Sequence, residues 1–366
     1  MKAENKNWKI MAINAWRWLG CWFIAGILLL GAKISPVSIE FIYSRGFYPL
    51  IATVFRWFWG WFSWPVGQIL TPLVLIGVII ILIRRWRRRP KYKFWLLLRD
   101  IAGFAGSIFL LFLLLWGLNY YRLPFADTAS LEIRATGAGE LQELLLDLGE
   151  KLPSLREACP KDENGMISLP DRHQAYHLGA ALAYPQVEES YPWLKFSPAV
   201  TKPALFSEFL CRCGIGGFHF AFSGATNLNT KLLPLALPFS ILHEEAHRRG
   251  YAREDEANFL AFLAGRQHPE PVFAYSAYFS AYVYAGNALS KKSPELYREA
   301  RTALPEEVLA DLRSVQDFWR SYQGRLQDTA DRINDAYLRV NGQTDGAASY
   351  GRMVDLMLAA KRKGVL

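Results

Sequence analysis

Acidic side chains are nearly absent from the first third of this 366-residue chain: residues 1 to 122 hold Glu4, Glu40 and Asp100 against 16 Lys and Arg, a net of +13. The whole chain carries +9, which leaves −4 for residues 123 to 366. The larger part therefore lacks a basic excess and an aromatic-interleaved basic stripe, and this excludes the nucleic-acid partner that a pI of about 9.3 would otherwise suggest. Cysteine is scarce too. Of the four, Cys21 sits in an apolar run, and Cys159, Cys211 and Cys213 are an odd set that permits at most one bridge. Cys211 and Cys213 are too close to bridge easily, so any bond involves Cys159. No nearby residues complete four ligands around a Cys-x-Cys metal site.

Charge is missing altogether from three runs. Trp18 to Ala32, Trp64 to Ile83 and Ile101 to Leu118 are apolar and long enough, with flanking residues that snorkel, for three membrane spans at about 18–34, 64–83 and 101–118. A cleaved signal peptide competes for the first run, although no small-x-small cleavage site follows it. Between the first two runs, Ser35 to Ser63 is dense in Trp and Phe and reads as an interfacial amphipathic segment. Arg84, Arg85, Arg87, Arg88, Arg89, Lys91, Lys93 and Arg99 crowd the second link, and Lys2, Lys6, Lys9 and Arg17 precede the first run. By the positive-inside rule both basic stretches face the cytoplasm, so residues 122–366 are expected outside it, on a multi-pass cell-membrane protein whose first partner is the lipid bilayer. The spans lack paired charges, which argues against a transporter or channel.

What the second part does contain is Leu242-His243-Glu244-Glu245-Ala246-His247-Arg248-Arg249-Gly250. His243 and His247 are four apart, so on a helix both imidazoles project from one face and suit two corners of a tetrahedral zinc site. Glu244 is then placed to act on a water as general base. The apolar lead-in from Leu235 to Leu242 predicts a buried helix, and Gly250 is a natural helix end. Glu254-Asp255-Glu256 gives a following helix an acidic first turn. On that helix Glu254, Ala257 and Asn258 share a face, which makes Glu254 the third ligand expected and Asn258 a partner behind it. Glu256 falls on another face and is the alternative ligand.

The combination His243-Glu-x-x-His247-x-x-Gly250-x-Ala252-x-Glu254-x-Glu256-Ala257-Asn258-Phe259 resembles a family of bacterial membrane-anchored proteins catalogued as a domain of unknown function. Its active-site pattern is similar to that of gluzincin-type zinc metallopeptidases. Lys202-Pro203 with Ser207, Gly214-Ile215-x-Gly217-Phe218, Phe222 to Asn229 and Ser349 to Leu356 carry the resemblance across most of the chain. It implies a mainly α protein, with N-terminal transmembrane helices and then an extracytoplasmic, mostly helical zincin-like domain with a small β element. The implied chemistry is zinc-dependent hydrolysis of a peptide or protein in the cell envelope, with Tyr350 of the closing motif either donating to the oxyanion or packing. The ligand Glu of better-known gluzincins lies farther from the second His than Glu254 lies from His247. A non-catalytic zinc protein with a sensing or envelope-binding role is the alternative; it requires a closed fourth coordination position, whereas three candidate ligands leave one open.

Elsewhere, Leu131 to Leu152 predicts a helix, Gly149 to Pro170 a polar connector, and Asp171 to Tyr184 a short helix whose His173 and His177 read as surface or packing residues. Phe209 to Asn229 has strand-and-turn character, with Asn227 and Asn229 either lining a cleft or serving turns. A long charged helix is expected from about Pro305 to Val340, and a final one over Ser349 to Ala360.

Overall fold

The computed structural model describes residues 20–88, 94–197, 199–341 and 352–366. The chain forms two compact units: Met1–Ile51, Val66–Arg122 and Ala221–Ser223 make one, and Ala52–Pro65, Leu123–Phe220 and Gly224–Leu366 make the other.

In the first unit, helix α1 (Gly20–Ile34) is interrupted at Pro36, and the chain turns by 103° into the helical stretch Pro36–Trp59. Proline supplies no N–H to continue the ladder and clashes with the preceding turn. Past a wide helical segment, Ile39–Phe47, comes α2 (Tyr48–Trp59), whose residues from Ala52 on belong to the second unit; the first unit resumes with α3 (Val66–Arg88) and α4 (Phe94–Leu115). Among the described residues two helices, α3 over Val66–Arg84 and α4, are long and apolar enough to cross a membrane, or three elements if the bent pair counts as one. The expected span at 18–34 is thus half of a bent element, because Pro36 breaks it. Charge pairs flank the three expected spans and do not lie within their bounds. Fully buried Glu40 accepts from Arg122 at 2.9 Å and from Arg45 at 2.6 Å, and Asp100, inside α4, pairs with Arg99 at 2.7 Å. Pairs of this kind, between residues as distant as 40 and 122, are invisible to a scan of apolar runs.

The second unit is mainly helical around a small sheet. Helix α5 (Ala138–Ala158) buries Leu141, Leu144, Leu145, Leu148 and Leu152. That stripe, at three- and four-residue spacing, carries the helix through Pro153 and into the stretch expected to be a connector. Residues 131–137 are not helical. Helix α6 (Arg172–Ser190) starts where the Asp171 carboxylate accepts from the Gln174 N–H, and it runs past Tyr184. Strand β1 (Lys202–Pro203) is followed by helix α7 (Ser207–Arg212), then β2 (Gly217–Phe220) and β3 (Ala225–Leu228). The order is β1-β3-β2, with β1 parallel and β2 antiparallel to β3. Next come α8 (Leu237–Arg248), α9 (Glu254–Gly265), α10 (Pro271–Lys292), α11 (Pro294–Thr302), α12 (Glu306–Tyr322), α13 (Arg325–Val340) and α14 (Met353–Arg362). The long charged helix is two, parted at Gln323-Gly324. None of the four cysteines is in a disulfide.

Helices α8 and α9 sit at the centre of the core. Ile241, Leu242 and Ala246 on α8 and Ala257, Phe259, Leu260 and Ala261 on α9 are completely inaccessible. Each large aliphatic side chain so buried contributes about 1.5–3 kcal/mol, which fixes the helices that carry the polar residues.

Candidate metal centre

Helix α8 is held on every side before its polar face is considered. Its N-terminus is capped from α10, where the Ser276 hydroxyl accepts from the Phe239 N–H at 3.0 Å. Midway, the Tyr184 hydroxyl donates to the Leu242 carbonyl at 2.8 Å. On the far face the fully buried Glu245 carboxylate accepts from Arg248 Nε at 2.7 Å and pairs with Arg249 at 3.3 Å. Arg248 also donates to the Ser197 carbonyl, while Arg249 reaches Glu188 and the Leu194 carbonyl, both at 2.6 Å, and stacks 3.9 Å from the Tyr184 ring centre. The helix ends at Gly250, whose φ of +84° is the left-handed conformation that glycine alone adopts without penalty. The Tyr251 N–H then closes back on the Ala246 carbonyl at 3.2 Å.

That turn sends α9 back along α8. It brings His243 Nε2 to 3.0 Å from His247 Nε2, with Glu254 Oε2 3.2 Å from the first and 3.5 Å from the second. His243, His247 and Glu254 are a set able to hold a metal ion. Four ligands around zinc at 2.0–2.1 Å stand about 3.3 Å apart along a tetrahedron edge, and the three separations bracket that value. The other ring nitrogens are committed. His247 Nδ1 lies 2.7 Å from the Tyr251 carbonyl, which can only accept, and His243 Nδ1 lies 2.8 Å from Asn258 Oδ1. With each Nδ1 carrying the proton, both Nε2 atoms present lone pairs to a carboxylate oxygen, an arrangement of acceptors that a cation satisfies. His243 and Glu254 expose 14% and 13% of their side chains, so the cluster is reachable from outside.

Electrostatics follow the same geometry. Without a cation, protons take that place: burial opposes charge on Glu254, but a protonated His247 and the hydrogen bonds the imidazoles then donate hold the carboxyl well below its usual range. Burial likewise lowers His247, and the Glu254 charge outweighs it to bring the imidazole up to about 9. Glu244 is the contrasting acid. It is buried, its Oε2 has no hydrogen-bond partner among the described residues, and burial pushes its carboxyl up to about 7 against the pull of His243 and His247. Gly217 on β2 makes room for it: a Cβ there would stand 2.8 Å from Glu244 Oε1.

Glu256 does not join the cluster. Two residues beyond Glu254, it points to another face of α9 and accepts the Phe125 N–H at 2.7 Å. Asn227 and Asn229 staple their own hairpin, Asn227 Nδ2 to the Ala225 carbonyl at 3.1 Å and Asn229 Nδ2 to the Ile215 carbonyl at 3.0 Å. Tyr350 lies outside the described residues, as do the side chains of His173 and His177. Arg352, from the same closing motif, acts electrostatically on Asp255 at the start of α9.

Two further residues belong to the surroundings and carry no sequence signal of their own. His219 on β2 is held neutral by burial and by the His247 and Arg248 charges. The Tyr284 hydroxyl, on α10, is pushed up to about 12 by burial and by Glu254, with Asn258 opposing. Only chain folding over dozens of residues brings them here.

No curated protein and no solved structure gives a significant match to the chain. Residues 43–358 match the family described as "Protein of unknown function (DUF3810)". The match runs from the bent helical stretch through the His-Glu-x-x-His helix into the last helix, and on that coverage the chain belongs to this family.

Proposed function

We propose that the protein is a membrane-anchored, zinc-dependent metallopeptidase whose second unit lies outside the cytoplasm and cleaves peptide bonds of proteins in the cell envelope. The observation that carries the reading is the convergence of two imidazole lone pairs and a carboxylate oxygen at 3.0–3.5 Å, with both Nδ1 protons already spent on fixed acceptors. His243, His247 and Glu254 would hold the ion, and among the described residues no fourth ligand joins them. That favours an open position over the closed set of a structural zinc. A bound zinc ion supplies Lewis acidity, polarising a carbonyl and making a water acidic enough to attack near neutral pH.

The chain's own residues do the rest. Glu244, buried beside the ligands with one oxygen uncommitted, takes the proton of the attacking water and delivers it to the leaving amine. Asn258 and the Tyr251 carbonyl keep the two imidazoles in the tautomer that binds through Nε2. Tyr350 is proposed as a donor to the developing oxyanion. The extracytoplasmic position is supported by the basic link before α4.

The test is zinc content by elemental analysis of the purified full chain, with peptide-library hydrolysis measured alongside. The reading expects about one zinc per chain, lost in His243→Ala and kept in Glu244→Gln. Glu244→Gln should lower turnover by about 10²–10⁴-fold, the usual contribution of a general base. A folded chain that takes up no zinc after resupply sinks the proposal.

A further inference from the structure

The second unit carries a cluster of large apolar side chains in solvent that its core does not use. Trp57, Trp61 and Trp64 are 65%, 84% and 61% exposed, and Phe206 and Phe209 are 65% and 54% exposed. The two groups are more than 140 residues apart in sequence, and a hydrogen bond ties the segments that carry them. Lys202 Nζ donates to the Trp59 carbonyl at 2.8 Å, and Phe206 and Phe209 follow Lys202 closely in the chain, one just before α7 and one in its first turn. Phe55 closes the same junction from the other side, its ring against Gly224 on the hairpin. Lys202 is itself buried, with its pKa lowered by desolvation, and the bond it makes is partly buried.

The composition and position of this patch select its occupant. Trp64 stands two residues before α3, whose first residues begin an apolar run able to cross a membrane. Trp64 thus immediately precedes the apolar run in sequence, next to where hydrocarbon meets headgroups and Trp side chains concentrate. Within the second unit, the segment carrying Phe206 and Phe209 is joined to this Trp-rich stretch by the bond from Lys202 to the Trp59 carbonyl. Around them the polar side chains form a rim: Glu208 pairs with Arg212 at 3.4 Å and with Lys231 at 3.8 Å, all largely exposed. Apolar tips surrounded by paired charges are the pattern of a segment that dips into a bilayer interface while its rim stays among headgroups.

We propose that Phe206 and Phe209, on the loop and short helix after β1, insert into the outer interface of the lipid bilayer beside the Trp-rich segment, as a second membrane contact of this unit. The contact is a property of the surface and does not depend on the peptidase reading. The occupant is the zwitterionic or anionic phospholipid interface, not a protein groove.

The experiment uses the full chain in phospholipid nanodiscs. Phe206→Cys and Phe209→Cys are each labelled with an environment-sensitive fluorophore and read with and without lipids carrying a nitroxide near the headgroup. Glu295→Cys, on α11 at a site whose side chain is 75% exposed, serves as the aqueous control, and the unsubstituted chain treated identically serves as the labelling blank. The proposal expects quenching at 206 and 209 of at least about twofold and none at 295. Equal, weak quenching at all three positions overturns it. So does a blue-shifted but unquenched signal at 206 and 209, which would mean that a second copy or another protein covers the patch.

Discussion

Two buried polar clusters in the second unit make an instructive pair. In one, Asp311 accepts from Arg156 Nε at 2.8 Å and from the Tyr275 hydroxyl at 2.5 Å, and Arg156 also donates to the Gly165 carbonyl at 3.0 Å. Every contact there joins a donor to an acceptor, and the knot ties α5, α10 and α12 together. In the other, His243, His247 and Glu254 turn acceptors toward one another, and beside them Glu244 keeps an oxygen uncommitted. A cluster that closes on itself stabilises the fold. A cluster whose lone pairs converge calls for a proton or a cation between them, and that difference separates a strut from a candidate site.

Breaking the closed knot should have the largest effect on stability. Arg156→Met leaves the Asp311 carboxylate buried and unpaired, and about 3–5 kcal/mol of unfolding free energy should be lost. The fraction that still folds should keep its zinc. Denaturant melts of the detergent-solubilised chain, paired with metal analysis, check both halves; zinc loss in the folded fraction would erase the distinction drawn between the clusters.

A third buried group, His268, tests the same distinction with pH. Its Nε2 lies 3.1 Å from the Gly179 carbonyl and its Nδ1 accepts the Glu270 N–H at 2.9 Å, so it is closed in the neutral form. Burial lowers its pKa to about 4 in spite of those bonds. The unfolded chain takes up a proton below about 6.5, whereas the folded chain resists until about 4. Stability is therefore full above pH 6.5 and declines as pH falls through that window, by about 3 kcal/mol at most. Comparing the wild-type chain with His268→Gln across pH 4 to 7 should show that this decline belongs to His268; parallel curves would refute it.

The smallest effect sharpens the open cluster. Asn258→Ala removes the acceptor that orients His243 without removing a ligand. Zinc affinity should weaken by about 10–100-fold while stability of the metal-free chain changes little. Competition with a chelator of known affinity measures the first and thermal unfolding the second. Unchanged affinity would mean that His243 is oriented by other contacts.

Much of the cluster was legible because it is local. His243, Glu244, His247 and Gly250 are placed by helical periodicity and one left-handed turn, and Asn258 follows Glu254 by one turn of α9. What was not legible depends on partners far along the chain. Glu256 reads as an acid in the same first turn, and only the Phe125 N–H, 131 positions away, shows where it goes. The Pro153 interruption misleads because a leucine stripe outweighs the local cost of proline. Asn227 and Asn229 have the residue types of a cleft, yet their amides are spent on the hairpin that carries them.

By itself the sequence determined the apolar stretches that can cross a membrane, the spacing of two imidazoles on one helical face, and the glycine that turns α9 back on α8. These follow from composition and from periodicities of a few residues, which need no knowledge of the rest of the chain. The tertiary structure alone decided that Glu256 turns to the Phe125 N–H, that Gly217 yields space to Glu244, that Arg156 finds Asp311 across 155 residues, and that Lys202 reaches the Trp59 carbonyl. Each of those is a choice among distant partners, made by which helices pack closely enough to bury both groups, and burial is what makes an unpaired alternative costly.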